Sequence, residues 1–336
     1  DTYGFPMDLT RLVAVEAALG IDESDFEKRM EASREVARAS WKGGDNTGNT
    51  RAILMKGAGG LKPTKFIGYE TLSSKVQVLA LFNDKEQVKE LSGHGFVVFD
   101  STPFYAEGGG QVGDKGTGRP GFVVNDTIKI NDVFFHRIEV KGAALKVGDK
   151  VEVEVSPERR HTMRNHSATH LLHAALRKVL GHHVTQAGSS VDATRLRFDF
   201  TQPKPMTREE IREVEALVNK EISKALSVQP KVLPYDAAIK EGAMALFGEK
   251  YANDVRVVTM GDFSKELCGG THVFNTADIL LFKISSESGV AAGVRRIEAI
   301  TGEAAAQFLF TRNESLQAVE ELVKAEPGKA VERVQK

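Results

Sequence analysis

The sequence predicts an α+β protein. A small antiparallel β-barrel is followed by an α/β domain with a mostly antiparallel sheet, and helical segments flank both. Two observations carry this prediction. Between residues 62 and 155, short runs of alternating apolar and polar residues are separated by Gly, Asn and Asp, a pattern typical of small barrels. From residue 156 onward, segments with helical periodicity alternate with further short strands.

The composition is that of an ordinary globular protein and points to no particular partner. Of the 336 residues, 41% are hydrophobic and 27% are charged, and the formal net charge is −1. RNA binding would therefore need a local basic face. No apolar run approaches the ~20 residues that span a membrane, so no membrane partner is expected. The single cysteine excludes an internal disulfide.

The first 60 residues are predicted to be helices followed by a linker. Between residues 8 and 40, Leu9, Leu12 and Val13 recur at helical spacing. The segment WKGGDNTGNT, residues 41–50, is rich in Gly and Asn and predicts a loop or a mobile linker.

A long helix is predicted over residues 156–181. Ser156 can cap its first turn, Pro157 suits the first helical position, and Gly181 suits the exit. This helix follows the barrel directly, so we expect it to open the second domain.

The rest of the chain continues the mixed pattern. Thr207 and Glu210 have the spacing of a capping box at the start of a second long helix. The remaining predicted elements are strands over residues 183–191, 195–200, 227–234, 254–260, 278–286 and 294–301, a short helix over residues 236–243, and a helical tail from residue 303.

Two pairs of residues predict a metal site. His166 and His170 lie four residues apart on the long helix, so their side chains share one face. Cys268 and His272 flank two glycines in ELCGGTH, and glycine permits a tight backbone with positive φ that would turn both side chains inward. Together they form a Cys/His₃ set whose softness suits Zn²⁺.

Other roles for these residues remain open at this point. Each pair alone is also compatible with packing or surface positions. His173, seven residues after His166, could complete a triad on the helix, but CGGTH would then be unexplained. Surface or capping roles are predicted for four further histidines: His136, His161, His182 and His183.

A metalloprotease mechanism is not expected. The motif H-E-x-x-H needs a glutamate as general base directly after its first histidine, and this chain has Ser167 there.

A glycine-rich stretch, FYAEGGGQVGD, covers residues 104–114. Gly108, Gly110 and Gly113 have the spacing of a dinucleotide-binding motif, but the following DKGTGRPG does not predict the helix that this motif requires. The stretch is therefore either a barrel loop or a backbone surface that a polar ligand can approach closely.

Two arginines, Arg295 and Arg296, alternate along a predicted strand and so point to opposite faces. One of them could hold a phosphate or a carbonyl beside the metal pocket. A surface charge paired with Glu298 is an equally good interpretation.

Several long motifs carry a family resemblance. RNHSATHLLHAAL, MGDFSKELCGGTH and SESGVAAGVRRIEAITG closely resemble the editing domain of bacterial alanyl-tRNA synthetases. FYAEGGGQVGD resembles the glycine-rich motif of that family, and DTYGFPMDLT resembles the end of its tRNA-recognition region. The resemblance covers essentially the whole chain. It extends more weakly to the editing domain of threonyl-tRNA synthetase and to free-standing editing proteins.

The resemblance implies a cytoplasmic deacylase that hydrolyses Ser-tRNA(Ala) and Gly-tRNA(Ala), with Zn²⁺ as cofactor and the acceptor end of tRNA(Ala) as partner. A pocket built for alanine rejects the smaller glycine and the added hydroxyl of serine poorly, so a second site is needed. The implied domains are the end of the tRNA-recognition region with a linker, residues 1–60; the glycine-rich barrel, residues 61–155; the editing domain, residues 156–302; and the start of a helical linker, residues 303–336. The start inside YGFP predicts that the aminoacylation domain is absent, so no alanine activation is expected.

The resemblance also implies roles for individual residues. Gln186 matches a glutamine of the editing pocket, and Gly109 and Gly110 match the loop that shapes that pocket. The expected site residues are the metal ligands His166, His170, Cys268 and His272, the catalytic residues Gln186 and Cys268, and the substrate-binding residues Gly109, Gly110, Gln186 and Arg295.

The mechanism stays open at this level. Either all four ligands bind and zinc holds the substrate by expanding its coordination, or one ligand gives way to water. Two rival functions also remain: a zinc-stabilised RNA-binding module without catalysis, and a hydrolase that acts on seryl esters without tRNA.

Overall fold

The computed structural model describes residues 47–119, 121–245 and 252–335. The helices predicted over residues 8–40 and the first part of the predicted linker lie outside these ranges. Helix α1, Thr47–Ala58, includes the last four residues of the segment predicted as a linker, so that prediction is wrong for residues 47–50. Leu54 and Ala58 of α1 are buried against the barrel wall, and this packing outweighs the weak helical propensity of Gly and Asn.

Nine short or medium strands follow α1. They are β1 Lys65–Phe66, β2 Ser73–Phe82, β3 Gln87–Val88, β4 Glu90–Phe99, β5 Ser101–Thr102, β6 Gly116–Arg119, β7 Phe122–Ile130, β8 Val133–Lys146 and β9 Lys150–Val155. Six of them pair antiparallel in the order β2-β4-β8-β7-β6-β9, and pairing of β9 with β2 closes the ring. The predicted antiparallel barrel is therefore confirmed.

His136 on β8 corrects one prediction, because it is fully buried rather than at the surface. Helix α1 covers the outside of the barrel, so Phe135 packs outward beneath it, while His136 contacts the interior rings of Phe99 and Phe104. Its Nδ1 donates to the carbonyl of Val97 at 3.0 Å. Its Nε2 accepts from Thr102 Oγ1 at 2.7 Å, so both ring nitrogens are satisfied without a charge.

The second half of the chain packs helices on antiparallel sheets. Its elements are α2 Arg159–Leu180, β10 Gln186–Val191, β11 Leu196–Thr201, α3 Arg208–Ser223, β12 Val228–Pro234, α4 Tyr235–Lys240, β13 Asp254–Met260, β14 Ser264–Leu267, a 3₁₀ turn Thr276–Ile279, β15 Phe282–Ala291, β16 Val294–Thr301, α5 Gly302–Leu322 and α6 Ala330–Val334. One sheet has the order β10-β11-β16-β15 and another the order β12-β13-β14. Leu172 of α2 and Val218 of α3 share one core with Phe198 and Phe200 of β11.

Helix boundaries match the predicted caps in part. Glu210 N donates to Thr207 Oγ1 at 3.1 Å and Thr207 N donates to Glu210 Oε2 at 2.7 Å, so the capping box is confirmed. Gly181 ends α2 with φ 118°. The start of α2 differs, because Ser156 N donates to the Lys115 carbonyl at 2.7 Å and so stays with the barrel.

The strand predicted over residues 278–286 begins later and runs further, as β15. Asn275 and Asp278 form a capping box that starts the 3₁₀ turn, and Leu280 follows with φ 70°. This local hydrogen bonding competes with an extended backbone at residues 278 and 279. Among the described residues, no helix combines the length and the apolar composition needed to cross a lipid bilayer.

A buried ion pair joins the barrel to α2. Arg159, 2% exposed, contacts the carboxylate of Asp114, 5% exposed, through Nε and Nη2. Its Nη1 and Nη2 also donate to the carbonyls of Gly68 and Pro103, both at 3.0 Å. The pair anchors the first turn of α2 on the barrel and so brings the glycine-rich stretch close to the histidines of that helix.

Candidate metal centre

The two predicted pairs meet in space. The ligand atoms of His166, His170, Cys268 and His272 all lie within 4.8 Å of one another. Along the chain, the two pairs are about 100 residues apart. Cys268 Sγ is 3.4 Å from His166 Nε2 and 3.3 Å from His272 Nε2. Ligands around a tetrahedral Zn²⁺ would be ~3.4–3.6 Å apart, given Zn–N and Zn–S lengths of ~2.1 and ~2.3 Å. The spacing of these atoms therefore fits a small cation.

Helical spacing and one close approach build the cluster. His166 and His170 share a face of α2, and their rings lie 5.3 Å apart. Neither Gly269 nor Gly270 has a positive φ, so the predicted reason for these glycines is wrong. A Cβ on Gly270 would overlap the His166 ring, whereas the space around Gly269 is open. Gly270 is therefore required for the close packing of the loop against α2.

Each histidine of the cluster is held by a partner at its other ring nitrogen. His166 Nδ1 donates to Gln111 Oε1 at 2.7 Å, and His170 Nδ1 donates to Glu266 Oε2 at 2.7 Å. His272 Nδ1 lies 3.2 Å from Ser167 Oγ. All three Nε2 atoms are thereby directed at the centre of the cluster, as in the second shell of known metal sites.

Cys268 and His272 are in the protonation states that bind a cation. Burial alone would raise the pKa of the Cys268 thiol, but the imidazoles of His166, His272 and His170 together lower it well below its usual value. Burial lowers the pKa of His272 to about 3, which keeps that ring neutral. A thiolate and neutral imidazoles are the forms that bind metals.

His170 supplies an orphaned atom. Burial opposes its charged form, but the carboxylate of Glu266 and the nearby Cys268 raise its pKa to about 10. Its Nε2 is buried without a hydrogen-bond partner, although it faces the other donors. A cation bound in place of the Nε2 proton would satisfy this atom. The buried cluster could therefore bind a metal.

The sequence did not single out two residues that hold the cluster. Gln111, fully buried, accepts from Thr271 N at 2.9 Å and donates to Thr271 Oγ1 at 2.9 Å, besides its contact with His166. Glu266, 4% exposed, joins His170 to His173, whose Nδ1 is 3.0 Å from Glu266 Oε1. Gln111 lies in FYAEGGGQVGD and Glu266 in MGDFSKELCGGTH, and their polarity beside the glycines and the cysteine is the signal that could have found them.

The remaining histidines lie outside the cluster. His173 is bound to Glu266 and packs against Phe198 at 5.2 Å, so the triad on α2 is not formed. His161, His182 and His183 are exposed, as predicted.

The glycine-rich stretch is a loop that reaches from the barrel to β10. Gly109 and Gly110 have φ of 57° and 81°, and a Cβ on Gly110 would lie 2.7 Å from the Ser189 carbonyl. Strand β6 follows the loop instead of a helix, which confirms that no dinucleotide motif is present. The loop carries Gln111 to the cluster.

The other predicted site residues make no described contact with the cluster. Gln186 is a half-buried residue of β10. Arg295 forms two bonds with Glu287, at 2.6 and 2.8 Å, so its alternative pairing with Glu298 is wrong. Glu298 pairs instead with Arg195 at 2.6 Å. The roles of Gln186 and Arg295 in substrate binding stay predictions.

Comparison with known proteins gives consistent matches. Residues 1–159 match the family described as tRNA synthetases class II (A), and residues 255–298 match the threonyl and alanyl tRNA synthetase second additional domain. The alanine–tRNA ligase of Bdellovibrio bacteriovorus is 51% identical over 326 residues, which cover 93% of this chain and 35% of the ligase.

Two further ligases show the same relation. That of Nitrosomonas eutropha is 50% identical over 337 residues, 98% of this chain and 38% of the ligase. That of Cupriavidus necator is 49% identical over 346 residues, 99% of this chain and 38% of the ligase. The chain thus spans a little over a third of the length of the curated relatives it matches.

Proposed function

The chain belongs to the alanyl-tRNA synthetase family, and we propose that its four-residue cluster is a hydrolytic centre that removes serine and glycine from mischarged tRNA(Ala). One observation carries the proposal. All three histidines of the cluster are oriented from behind by buried partners, so that their Nε2 atoms converge on the Cys268 thiol. Four converging donors indicate a metal centre, and hydrolysis is the reaction that this family motif implies.

The proposed cofactor is Zn²⁺, held by His166, His170, Cys268 and His272, because one thiolate and three imidazoles suit this ion. When bound, Zn²⁺ would supply Lewis-acid chemistry for hydrolysis of an ester. The protein's own contribution is rigidity: Gln111, Glu266 and Ser167 keep the imidazoles in one orientation and in one tautomer.

The proposed substrate is the aminoacyl ester at the acceptor end of tRNA(Ala). Gly109 and Gly110 would shape the pocket between the barrel, residues 61–155, and the editing domain, residues 156–302. Gln186 and Arg295 are proposed to contact the substrate. Because the serine hydroxyl can form hydrogen bonds that alanine cannot, such a site would favour Ser-tRNA(Ala) over Ala-tRNA(Ala).

Deacylation of Ser-, Gly- and Ala-tRNA(Ala), with and without a chelator, tests the proposal. We expect the first two esters to be cleaved, the third to be spared, and the chelator to abolish cleavage. Persistent cleavage of Ser-tRNA(Ala) after complete zinc removal would contradict a metal-dependent mechanism.

A structural zinc in a tRNA-binding module is the second candidate, because four protein donors are typical of closed structural sites. Cys268→Ala separates the two. Loss of hydrolysis at unchanged melting temperature supports a hydrolytic centre. Unfolding of the variant, together with no cleavage of Ser-tRNA(Ala) by the unmodified chain, supports the structural role.

A further inference from the structure

A cavity of about 520 Å³ opens beside the candidate metal centre. Residues 68–72 before β2 line it from the barrel, α2 lines it with Arg160, and the loop after β14 contributes Thr271, His272 and Phe274. Its volume lies within the ~300–1,000 Å³ range of ligand sites. Because His272 lines the cavity and also belongs to the cluster, a ligand in the cavity would contact the cluster at this residue.

We propose that this cavity receives the unpaired 3′-terminal nucleotides of the RNA, with Phe274 as the stacking platform for a base and Arg160 and Arg256 as partners of the backbone phosphates. The inference rests on the proposed function, because an ester on the terminal ribose must reach the cluster.

Phe274 is the feature that first points to a base. Its side chain is 71% exposed, although the adjacent Val273 is buried. Its backbone is fixed, because its carbonyl accepts from Val228 N at 2.9 Å and so joins β12. A large apolar ring that is mostly exposed at the rim of a cavity contributes little to packing. Exposed aromatic rings of this kind stack unpaired bases in proteins that bind single-stranded nucleic acid.

Tyr69 provides a second ring, but it is already engaged. The guanidinium of Arg256 lies 4.2 Å from the centre of this ring, and the hydroxyl donates to the Gly269 carbonyl. Tyr69 therefore positions Arg256, while Phe274 remains available to a ligand.

The charges of the lining favour a phosphate. Four arginines line the cavity; Arg159 is neutralised by Asp114 and Arg164 by Glu303. Within the described ranges, no carboxylate pairs with Arg160 or Arg256.

The bonds of Arg256 leave its charge uncompensated. Its Nη1 donates to the carbonyls of Cys268 and Gly270, at 2.9 and 3.0 Å, and to no other acceptor in the described part of the chain. Of the two acids in the lining, Asp278 accepts from Asn275 N at 3.1 Å and so serves the 3₁₀ turn, and Glu70 is exposed. Planar, permanently charged guanidinium groups are well suited to phosphate oxygens.

The test uses the whole chain and two uncharged RNA hairpins. One reproduces the acceptor stem of tRNA(Ala) with its unpaired 3′ end, and the other lacks those unpaired nucleotides. Dissociation constants are measured by fluorescence anisotropy for the unmodified chain, Phe274→Ala, Phe274→Tyr and Arg160→Ala. Phe310→Ala and Arg212→Ala are matched controls, because Phe310 is 63% exposed on α5, Arg212 is exposed on α3, and neither lines the cavity.

We expect Phe274→Ala to weaken binding of the complete hairpin about 5-fold to 100-fold, the effect of one lost stacking contact. Phe274→Tyr should retain binding within twofold, since it keeps a ring. Arg160→Ala should also bind the complete hairpin more weakly, and the controls should match the unmodified chain. The truncated hairpin should bind equally to the unmodified chain and to Phe274→Ala.

Two results would overturn the proposal: equal binding of both hairpins by the unmodified chain, or unchanged binding of the complete hairpin by Phe274→Ala. Deacylation of Ser-tRNA(Ala) by the same variants separates this proposal from the function. If the unmodified chain cleaves no ester, but Phe274→Ala still weakens binding of the complete hairpin and not of the truncated one, the hydrolytic function fails and the cavity assignment stands. If cleavage occurs and Phe274→Ala changes neither KM nor binding, the cavity assignment alone fails.

Discussion

Replacing Glu266 by Gln is expected to weaken metal binding without changing the shape of the site. The buried carboxylate accepts from His170 Nδ1 at 2.7 Å and from His173 Nδ1 at 3.0 Å. Burial alone would raise its pKa, but the two imidazoles hold it at about 2, so it is ionised at neutral pH. Glutamine has nearly the same volume, yet it carries no charge and offers only one acceptor oxygen.

The magnitude follows from those two contacts. In Glu266→Gln, one imidazole N–H keeps an oxygen acceptor and the other faces the amide NH₂ group, donor against donor. A hydrogen bond to a charged group contributes ~1.5–3 kcal/mol. Because one such bond is lost and the other becomes neutral, we expect the free energy of unfolding to fall by about 2–4 kcal/mol. The orientation of His170 also loosens, so zinc affinity should fall ~10-fold to 100-fold.

Competition with a chromophoric chelator measures the zinc affinity, and urea unfolding measures the stability. Glu298→Gln is the matched control, because it removes a carboxylate that pairs with Arg195 outside the cluster. The control should bind zinc as the unmodified chain does. If folded Glu266→Gln kept its zinc affinity within twofold, the claim that Glu266 orients a metal ligand would be refuted.

Three further outcomes are expected. Gly270→Ala should lower zinc affinity at least tenfold in the same competition assay, because its Cβ would overlap the His166 ring. Gly269→Ala should leave the affinity unchanged, because the space around Gly269 is open. Equal zinc affinities of the two variants would contradict the close packing of Gly270 against His166. Burial lowers the pKa of His136 to about 4, below the 6.5 of the unfolded chain, so its contribution to stability is complete above pH 6.5 and is lost as the pH falls towards 4. Urea unfolding should therefore show that the free energy of unfolding falls by up to about 3 kcal/mol between pH 7 and pH 4.5, and that His136→Gln reduces this loss. If the loss were the same in His136→Gln, this histidine would be excluded as its source. Asp114→Asn should destabilise the chain by about 3–5 kcal/mol in urea unfolding, since it leaves Arg159 buried without a counter-charge; a loss under 1 kcal/mol would mean that the carbonyls of Gly68 and Pro103 suffice.

Local pattern accounts for much of the fold. The period of two between residues 62 and 155 predicted the strands of the barrel, and Thr207 with Glu210 predicted the start of α3. These features depend on neighbours within a few residues, so they can be read along the chain. The error at residues 47–50 of α1, which were predicted to be a linker, arose where a distant partner competes with local preference. The late start of β15 arose from a local cap, formed by Asn275 and Asp278.

The pairing of the cluster was also predictable, because helical spacing joins His166 to His170 and the CGGTH stretch joins Cys268 to His272. The sequence alone thus determined which residues are candidates for a metal. Only the tertiary structure decided which residues support them, since Gln111 comes from the barrel, 55 residues before His166, and Glu266 from the strand that precedes Cys268. Spacing along the sequence does not predict such contacts. A hydrogen bond between distant segments can form only after packing, here of the barrel against α2, has brought those segments together.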